Sequence, residues 1–508
     1  MIAQNRKLAT IHDSTLIVAV DIASQKHVAR AINWRGHILG EPLIFDNRLE
    51  GFEVFLQWIR QLQAKHGLSE VVVGMEPTGH YWLNLAAYLR ACDVRVVLVN
   101  PFHVKQTKEF VDNSPTKNDR KDALVIAKLI KDGHFVLPNL PQGDFAELRG
   151  LVHLRQQLMK NLQRLYARIR RWLDQYFPEF LDVFPDWESK TALVSLRLFP
   201  LPQDVKAHTP EEVVRLWREN GVQRAVGLSR ARQLRASAER SIGLTQGLHA
   251  ARLALRFWLQ EYDLLQQQLN ELEQAIGELL QRIPGAAEMM SIPGVSEMTV
   301  AGFLAETGDL RQYRDWRQIR KLAGLNIVEN QSGKHVGKTR ISKRGRARLR
   351  ALLYRCVFVL VAKNAEFRTL HRYYTKERPN PLKPKQSLVA LCCRLIRLLY
   401  VLGTRKIRLR RPAECPNLRN PLRRQVSSPR VRNASDGVAN AVICSRSFVH
   451  AESRYFNPFG LRPCLGANVA SSLDRLDEGM WWAQDPVRYG RVAARDKGRL
   501  SVGQEMVD

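Results

Sequence analysis

Four carboxylates stand where they could act together. Asp21 closes the apolar run Leu16-Ile-Val-Ala-Val-Asp21, and Glu76 closes a second run, Val71-Val-Val-Gly-Met-Glu76, which Pro77 stops. Asp119 and Asp122 are three residues apart in Lys117-Asn-Asp-Arg-Lys-Asp-Ala, at the start of a helical pattern. That spacing puts both on one helix face. A single acid after a strand is usually a cap or a turn residue; two strand-end acids with an i, i+3 pair are less ordinary. If the strands that carry Asp21 and Glu76 are neighbours, four carboxylates converge on one sheet edge. Such a cluster repels itself unless hard divalent cations neutralise it, and Mg²⁺ prefers carboxylate oxygen and water. Two Mg²⁺ ions about 4 Å apart would stabilise the attacking and leaving oxygens of a phosphodiester.

The elements that must position these acids follow from periodicity. Leu16 to Asp21 reads as a strand, and His27 to Ile38 and Pro42 to Phe45 as two more, linked at Arg35-Gly36 and Gly40-Glu41. Leu49 to His66 carries Phe52, Phe55, Leu56, Ile59 and Leu62 at helical spacing. Val71 to Glu76 and Val94 to Val99 read as buried strands, the second stopped by Pro101, with a helix from Tyr81 to Ala91 between them. Asp119 to Ile130 reads as a helix, and Asp112 as a loop residue. Three hairpin-type strands followed by alternating helices and strands describe a mixed α/β sheet over residues 14–135.

Residues 144–283 change to long helical patterns, Leu148 to Tyr176 and His249 to Ile283, with Leu265, Leu269, Leu272, Ile276, Leu279 and Leu280 at three- and four-residue steps. A helical hairpin packed on itself and an intermolecular coiled coil both satisfy that spacing. A mainly helical, basic region spans 284–411. Residues 412–508 have no sustained apolar period and are expected to be a disordered tail.

The 508 residues include 79 Lys and Arg against 49 Asp and Glu, a net charge of +30. The length calls for more than one domain. A composition of 45% hydrophobic and 25% charged residues excludes disorder throughout. No uninterrupted apolar run reaches about 18 residues, and the first residues show no apolar signal segment, so neither a membrane partner nor secretion is expected. Seven cysteines without a CxxC pair give no zinc spacing and suggest reduced thiols in a cytoplasm. The stretch 311–411 holds 28 Lys and Arg against 4 Asp and Glu, which concentrates most of the excess charge there. Such an excess costs self-repulsion unless a polyanion relieves it, so nucleic acid is the expected partner.

Within that stretch, Lys334 to Arg350 contains eight basic residues and no acid. Lys334, Lys338, Arg340, Lys343, Arg344, Arg346 and Arg348 are the candidate phosphate contacts, since a solvated charge face would mix both signs. Upstream, Ile292-Pro-Gly294-Val-Ser reads as a turn leading into a helix. The exposed backbone N–H groups of such a helix start could cradle a phosphate. The turn resembles one half of a helix-hairpin-helix module, which holds DNA backbone without reading sequence; a simple tight turn is the alternative.

Three blocks carry a family resemblance: Val18-Ala-Val-Asp21-Ile-Ala-Ser, Gly74-Met-Glu76-Pro-Thr-Gly-His-Tyr-Trp and Lys117-Asn-Asp119-Arg-Lys-Asp122-Ala. In that order they resemble the DEDD site of the Piv-type transposases of the insertion-sequence family one-ten, and the Gly-Met-Glu-Pro-Thr-Gly-His form resembles its eleven-eleven subgroup. The resemblance covers roughly 14–410. It implies an RNase H-like, resolvase-type mixed sheet at the N-terminus, then a long helical segment, then a mainly α transposase domain. It also implies a DNA transposase or recombinase with Mg²⁺, two ions, at Asp21, Glu76, Asp119 and Asp122. Ser332-Gly333 is similar to the family's Ser-Gly, which implies that Ser332 is the strand-attacking nucleophile; from the residues alone Ser332-Gly333 reads as a polar turn, and Ser342 competes with it. Further implications are a structured guide RNA encoded by the element, DNA as substrate, a homo-oligomer (dimer or tetramer), and a cytoplasmic, nucleoid-associated site of action. Two alternatives stand beside this: a Holliday-junction-type nuclease, which needs the acids and has no use for Ser332, and a non-catalytic nucleic-acid-binding protein.

Overall fold

The computed structural model describes residues 2–111, 119–138, 140–224, 227–332, 335–337 and 339–405, and the chain divides into two compact units between Gln157 and Leu158. The predicted tail, 412–508, and Asp112 lie outside the described residues.

The first unit runs α1 (Ile2–Leu8), β1 (Thr15–Asp21), β2 (Lys26–Ile32), β3 (Leu43–Asp46), α2 (Leu49–His66), β4 (Glu70–Met75), α3 (Trp82–Ala91), β5 (Arg95–Val99), α4 (Pro101–Val111), α5 (Asp119–Lys131) and β6 (Phe135–Val136), and α6 (Asp144–Tyr176) begins in it. The six strands form one sheet in the order β3-β2-β1-β4-β5-β6. β1 pairs antiparallel with β2 and parallel with β4, so strands 1 and 4 are neighbours. From Thr15 to Val20 every residue of β1 is buried. That is why this strand is a continuous apolar run rather than an alternating one.

Alternation along the strands sorts the rest. Leu16, Val18, Val20, Ala29, Val73 and Met75 pack under α2 and α3, against Phe52, Phe55, Ile59, Leu85 and Leu89. Ile17, Ala19, Ile32, Val72 and Val97 pack on the opposite face, under Val125, Ile126, Leu129 and Ile130 of α5 and Val104 of α4. The sheet is therefore a three-layer sandwich, helices on both sides.

Two elements differ from the sequence reading. The second strand ends at Ile32, not Ile38, because the Asn33 side chain accepts from the Arg35 and His37 backbone N–H groups at 3.1 and 2.9 Å and turns the chain. Only an Ile32–Ile38 bridge continues it. The strand before Pro101 ends at Val99, as the sequence predicts, and Pro101 also begins α4, a helix absent from the sequence reading. Asn100 Oδ1 accepts from the Phe102 N–H at 3.0 Å, and proline is well suited to a first helical position, where its missing N–H has no partner to lose.

In the second unit the C-terminal part of α6 is followed by α7 (Phe180–Val183), α8 (Lys190–Leu198), α9 (Pro202–Lys206), α10 (Pro210–Glu219), α11 (Leu228–Glu239) and α12 (Leu248–Arg282). The Trp172 indole N–H donates to the Ala251 carbonyl at 3.0 Å, Arg168 meets Glu261 at 3.5 Å, and the Tyr166 and Tyr262 rings are 6.2 Å apart. Lower numbers on α6 meet higher numbers on α12, so the two long helices run antiparallel. Within the chain they pack as a hairpin, with Leu265 and Leu269 in the shared core. The shorter helices fill its loop around a core that includes Phe177, Phe180, Phe199 and Trp217.

The chain continues through α13 (Ala286–Met290), α14 (Glu297–Thr307), α15 (Trp316–Leu322), β7 (Ile327–Val328), β8 (Gln331–Ser332), β9 (His335–Val336), β10 (Arg340–Ile341), α16 (Ala347–Lys363), α17 (Ala365–Arg372) and α18 (Pro384–Arg405). By length and composition α18, 22 residues, is apolar enough to cross a membrane. Its Leu388, Leu391, Cys392, Leu395, Ile396 and Leu399 are buried, and it packs on α13, α15, α16 and α17. It is a core helix, and this explains its composition.

Candidate catalytic face and nucleic-acid interface

Asp21 is the last residue of β1, and Glu76 follows the last residue of β4. The parallel register pairs Ala19 with Gly74 and Val20 with Met75, so Asp21 and Glu76 occupy the next matched positions at the carboxyl ends of two adjacent strands. Both are half-buried. By alternation with Ala19 and Val72 they belong to the α5 face of the sheet.

The direction of α5 follows from its carboxyl end. Gln4 Nε2 donates to the Asp132 carbonyl at 2.7 Å. Leu8 lies against Gly133, and Lys131 against Gly36 in the turn between β2 and β3. All three contacts are beside the amino end of β1, so the amino end of α5, with Asp119 and Asp122, is directed toward the carboxyl ends of β1 and β4. Asp122, Ile126 and Ile130 share one helix stripe at four-residue steps. Ile130 packs so closely over Gly74 that a Cβ there would come within 2.2 Å of its Cδ1. A glycine in the middle of a buried strand is thus explained by the approach of the helix.

Asp122 is half-buried, and the side chain of Asp119 lies outside the description. Among the described residues no group of three His, Cys, Asp or Glu side chains is gathered tightly enough to hold a metal ion. The donor chemistry nevertheless suits Mg²⁺, which takes hard oxygens, keeps several waters, and commonly binds through one or two carboxylates plus substrate phosphates rather than an all-protein cage. Sequence reasoning missed one residue of this face. Arg30 pairs with Ala19 across β1 and β2, is half-buried, and has a buried Nε without a hydrogen bond. The signal was the alternation of β2, hidden by reading the strand as a single run to Ile38.

In the second unit Gly294 stands in the turn between α13 and α14 with φ +93°. Pro293 and Gly294 are exposed. The turn is anchored by Asn364, whose side chain donates to the Pro293 carbonyl at 3.0 Å. Ser296 caps α14 by accepting from the Thr299 N–H.

The stretch read as a basic loop contains two short ribbons, β7 with β10 and β8 with β9. Ser332 ends β8 and is paired in register with His335. Gly333, Lys334 and Lys338 lie outside the described residues. Arg340, Lys343, Arg344 and Arg348 are exposed. Segment 342–346 is tied to the loop after α15: Ser342 N donates to the Asn326 carbonyl at 2.7 Å, Lys343 N to Gly324 at 3.0 Å and Arg346 N to Leu322 at 2.7 Å. Backbone crosses backbone there, and a Cβ on Gly345 would come within 2.4 Å of the Leu322 carbonyl.

Arg346 departs from the expected phosphate contact. Its guanidinium donates to the Glu306 carbonyl and lies 3.4 Å from the Glu306 carboxylate, which is 7% exposed. An interior acid needs partners, and this arginine is one of them. Arg350 is similarly turned in, donating to the Ala323 carbonyl at 3.0 Å, and burial lowers its pKa. The competing nucleophile Ser342 donates its hydroxyl to the Gly324 carbonyl at 3.2 Å.

Residues 18–178 match a family model described as a transposase, the DEDD type of IS110, and residues 286–372 match the transposase model of the IS116/IS110/IS902 family. The chain is 25% identical over 396 residues to a 44.8 kDa protein of insertion element IS116 from Streptomyces clavuligerus, covering 78% of this chain and 96% of the relative. It is 26% identical over 291 residues to a 42 kDa protein of insertion element IS900 from Mycobacterium paratuberculosis, covering 56% and 71%. It is also similar, at 22% over 403 residues, to the pilin gene-inverting protein of Moraxella bovis, covering 78% and 98%. The first match takes in Asp21, Glu76, Asp119 and Asp122, and the second spans the Gly294 turn and Ser332; in both regions the chain is similar to transposases of the IS110 family.

Proposed function

We propose that the chain cuts and rejoins DNA strands by using Asp21, Glu76, Asp119 and Asp122 as a Mg²⁺ site and Ser332, contributed by a partner subunit, as nucleophile. The observation that carries this reading is the matched register of Asp21 and Glu76 at the carboxyl ends of β1 and β4, on the face toward which the amino end of α5 is directed. An RNase H-like sheet is the fold class this arrangement fits best.

In the proposed step Ser332 Oγ gives up its proton and forms a bond to phosphorus. The bond from that phosphorus to one bridging deoxyribose oxygen breaks, and the oxygen leaves as a hydroxyl after taking a proton. A hydroxyl from a second strand then attacks the same phosphorus and frees the serine. Bound Mg²⁺, as two ions, would neutralise the phosphate oxygens and favour the ionised attacking oxygen. Asp21 and Glu76 hold the scissile phosphate's counter-charge from a rigid sheet edge. Arg340, Lys343, Arg344 and Arg348 hold backbone phosphates, and the exposed Gly294 turn adds backbone N–H groups. A structured guide RNA would select the sites, and the working form would be a homo-oligomer at the nucleoid in the cytoplasm.

The test is a set of three variants. Asp21→Asn and Glu76→Gln should abolish cleavage with nucleic-acid binding retained. Ser332→Ala should abolish strand exchange and remove a covalent protein–DNA adduct that mass spectrometry places on Ser332 in the parent. Cleavage by Asp21→Asn at the parent rate, or an adduct mapped to Ser342, would overturn the corresponding part.

A further inference from the structure

We infer that His27 and Asn47 are positioning residues that hold the turn between β1 and β2, and through it the Asp21 carboxylate, in the geometry needed for cation binding. The inference rests on the assignment of Asp21 to the cation site.

The turn Ile22-Ala-Ser-Gln25 follows Asp21 directly, and three hydrogen bonds tie it to the sheet. Ala23 N–H donates to His27 Nδ1 at 3.3 Å. The Asn47 side-chain amide donates to the Ser24 carbonyl at 3.1 Å, and the Asn47 backbone N–H donates to the Gln25 carbonyl at 2.7 Å. One residue near the start of β2 and one just after β3 thus grip the same four residues. An ordinary hairpin connection would be held by its own backbone. This one is held by two side chains, His27 of β2 and Asn47 just after β3, and by the Asn47 backbone.

His27 is fully buried. Its ring is edge-on to Phe45 at 5.3 Å and stacked on Phe52 at 6.4 Å, which fixes its plane. Because Nδ1 accepts, the proton of the neutral ring is on Nε2. Nε2 and Asn47 Oδ1 are both buried without a hydrogen bond of good geometry, and the Asn47 side chain is the group that opposes the effect of burial on the imidazole. A donor and an acceptor, each buried beside the other, are complementary in kind. A purely structural histidine on this apolar face would be replaceable by an aliphatic residue at a gain, since burying a polar ring costs free energy. The imidazole's one accepting nitrogen meets the backbone N–H two residues beyond Asp21. Groups that orient a ligating side chain without touching the metal change affinity or activity by about 10- to 100-fold when removed.

The test compares His27→Ala, His27→Gln and Asn47→Ala in the full chain. Gln can present an accepting oxygen to the Ala23 N–H and a donating amide toward Asn47, so it is the conservative variant. Two quantities are read. Amide hydrogen exchange in a peptide covering 17–26, measured without divalent ion, should speed up about ten-fold in His27→Ala and Asn47→Ala. The Mg²⁺ concentration for half-maximal cleavage should rise about ten-fold or more in the same variants, with DNA affinity unchanged, and His27→Gln should restore most of both. If His27→Ala fails to fold, Asn47→Ala decides, because Asn47 is only half-buried. Unchanged exchange and Mg²⁺ dependence in Asn47→Ala, or a His27→Gln variant as defective as His27→Ala, would overturn the inference. Faster exchange with an unchanged Mg²⁺ requirement would also overturn it, leaving a structural clamp only. Asp21→Asn serves as the separate control: parent-level cleavage by that variant would remove the cation-site reading itself, whatever the clamp variants do.

Discussion

Arg346→Ala should weaken the fold while leaving DNA affinity almost unchanged, although the sequence puts Arg346 in the middle of the basic stretch. The guanidinium, 26% exposed, is the partner of a Glu306 carboxylate that is 7% exposed. Removing one member of a buried pair costs about 3–5 kcal/mol, because the other charge is left stranded. Here a quarter of the arginine is open to water, which can enter beside the acid, so the expected loss is about 2–3 kcal/mol. For a domain of roughly 150–250 residues that corresponds to a melting temperature lower by about 4–12 °C. Replacing both members, Arg346→Met with Glu306→Gln, should recover most of the loss, since no stranded carboxylate remains. The assays are thermal unfolding and the salt dependence of duplex DNA binding. Arg346→Ala should keep the parent log–log salt slope, whereas the triple variant Lys343→Ala, Arg344→Ala, Arg348→Ala should flatten it by about 2 to 3 units. Parent-level melting of Arg346→Ala together with a slope flattened by about one unit would refute the inward placement.

Gly74→Ala should displace α5, because the new Cβ would overlap Ile130, and should cost about 1–3 kcal/mol with loss of cleavage and retained DNA binding; parent-level melting and cleavage would contradict the close packing. Asn364→Ala removes the α17 cap, where the side chain accepts from the Glu366 and Phe367 N–H groups, and the link to Pro293; denaturant unfolding should show about 1–3 kcal/mol lost, and less than about 0.5 would count against it. Burial lowers the His27 pKa below its usual 6.5, so the stability due to the neutral ring is fully present above about pH 6.5 and is lost as the pH falls through the lowered folded value. His27→Gln should flatten that part of the stability–pH profile, and an identical acid limb in parent and variant would contradict it.

Much of this protein is local, and the sequence determines it. The buried strand at Leu16–Asp21 and the helices at Leu49–His66 and Asp119–Lys131 follow from apolar spacing, because a central strand and an amphipathic helix each leave their own periodic mark. The strand-end positions of Asp21 and Glu76 were legible for the same reason. The helix that Pro101 begins and the turn at Asn33 were not legible, because a proline or a turn-forming asparagine serves equally to end one element or begin the next, and only the partner of the freed N–H decides. The apolar spacing of the long helices at 144–283 is satisfied equally by packing on themselves and packing on another copy; the Trp172–Ala251 bond shows that the two run antiparallel within the chain. What tertiary structure alone decides is pairing across long sequence separation. It puts β4 beside β1 in the register that matches Glu76 to Asp21. It spends Arg346 on Glu306, forty residues away, rather than on phosphate. Charge and periodicity are properties of neighbouring residues, whereas the partner of a buried charge is fixed only when distant segments pack around it.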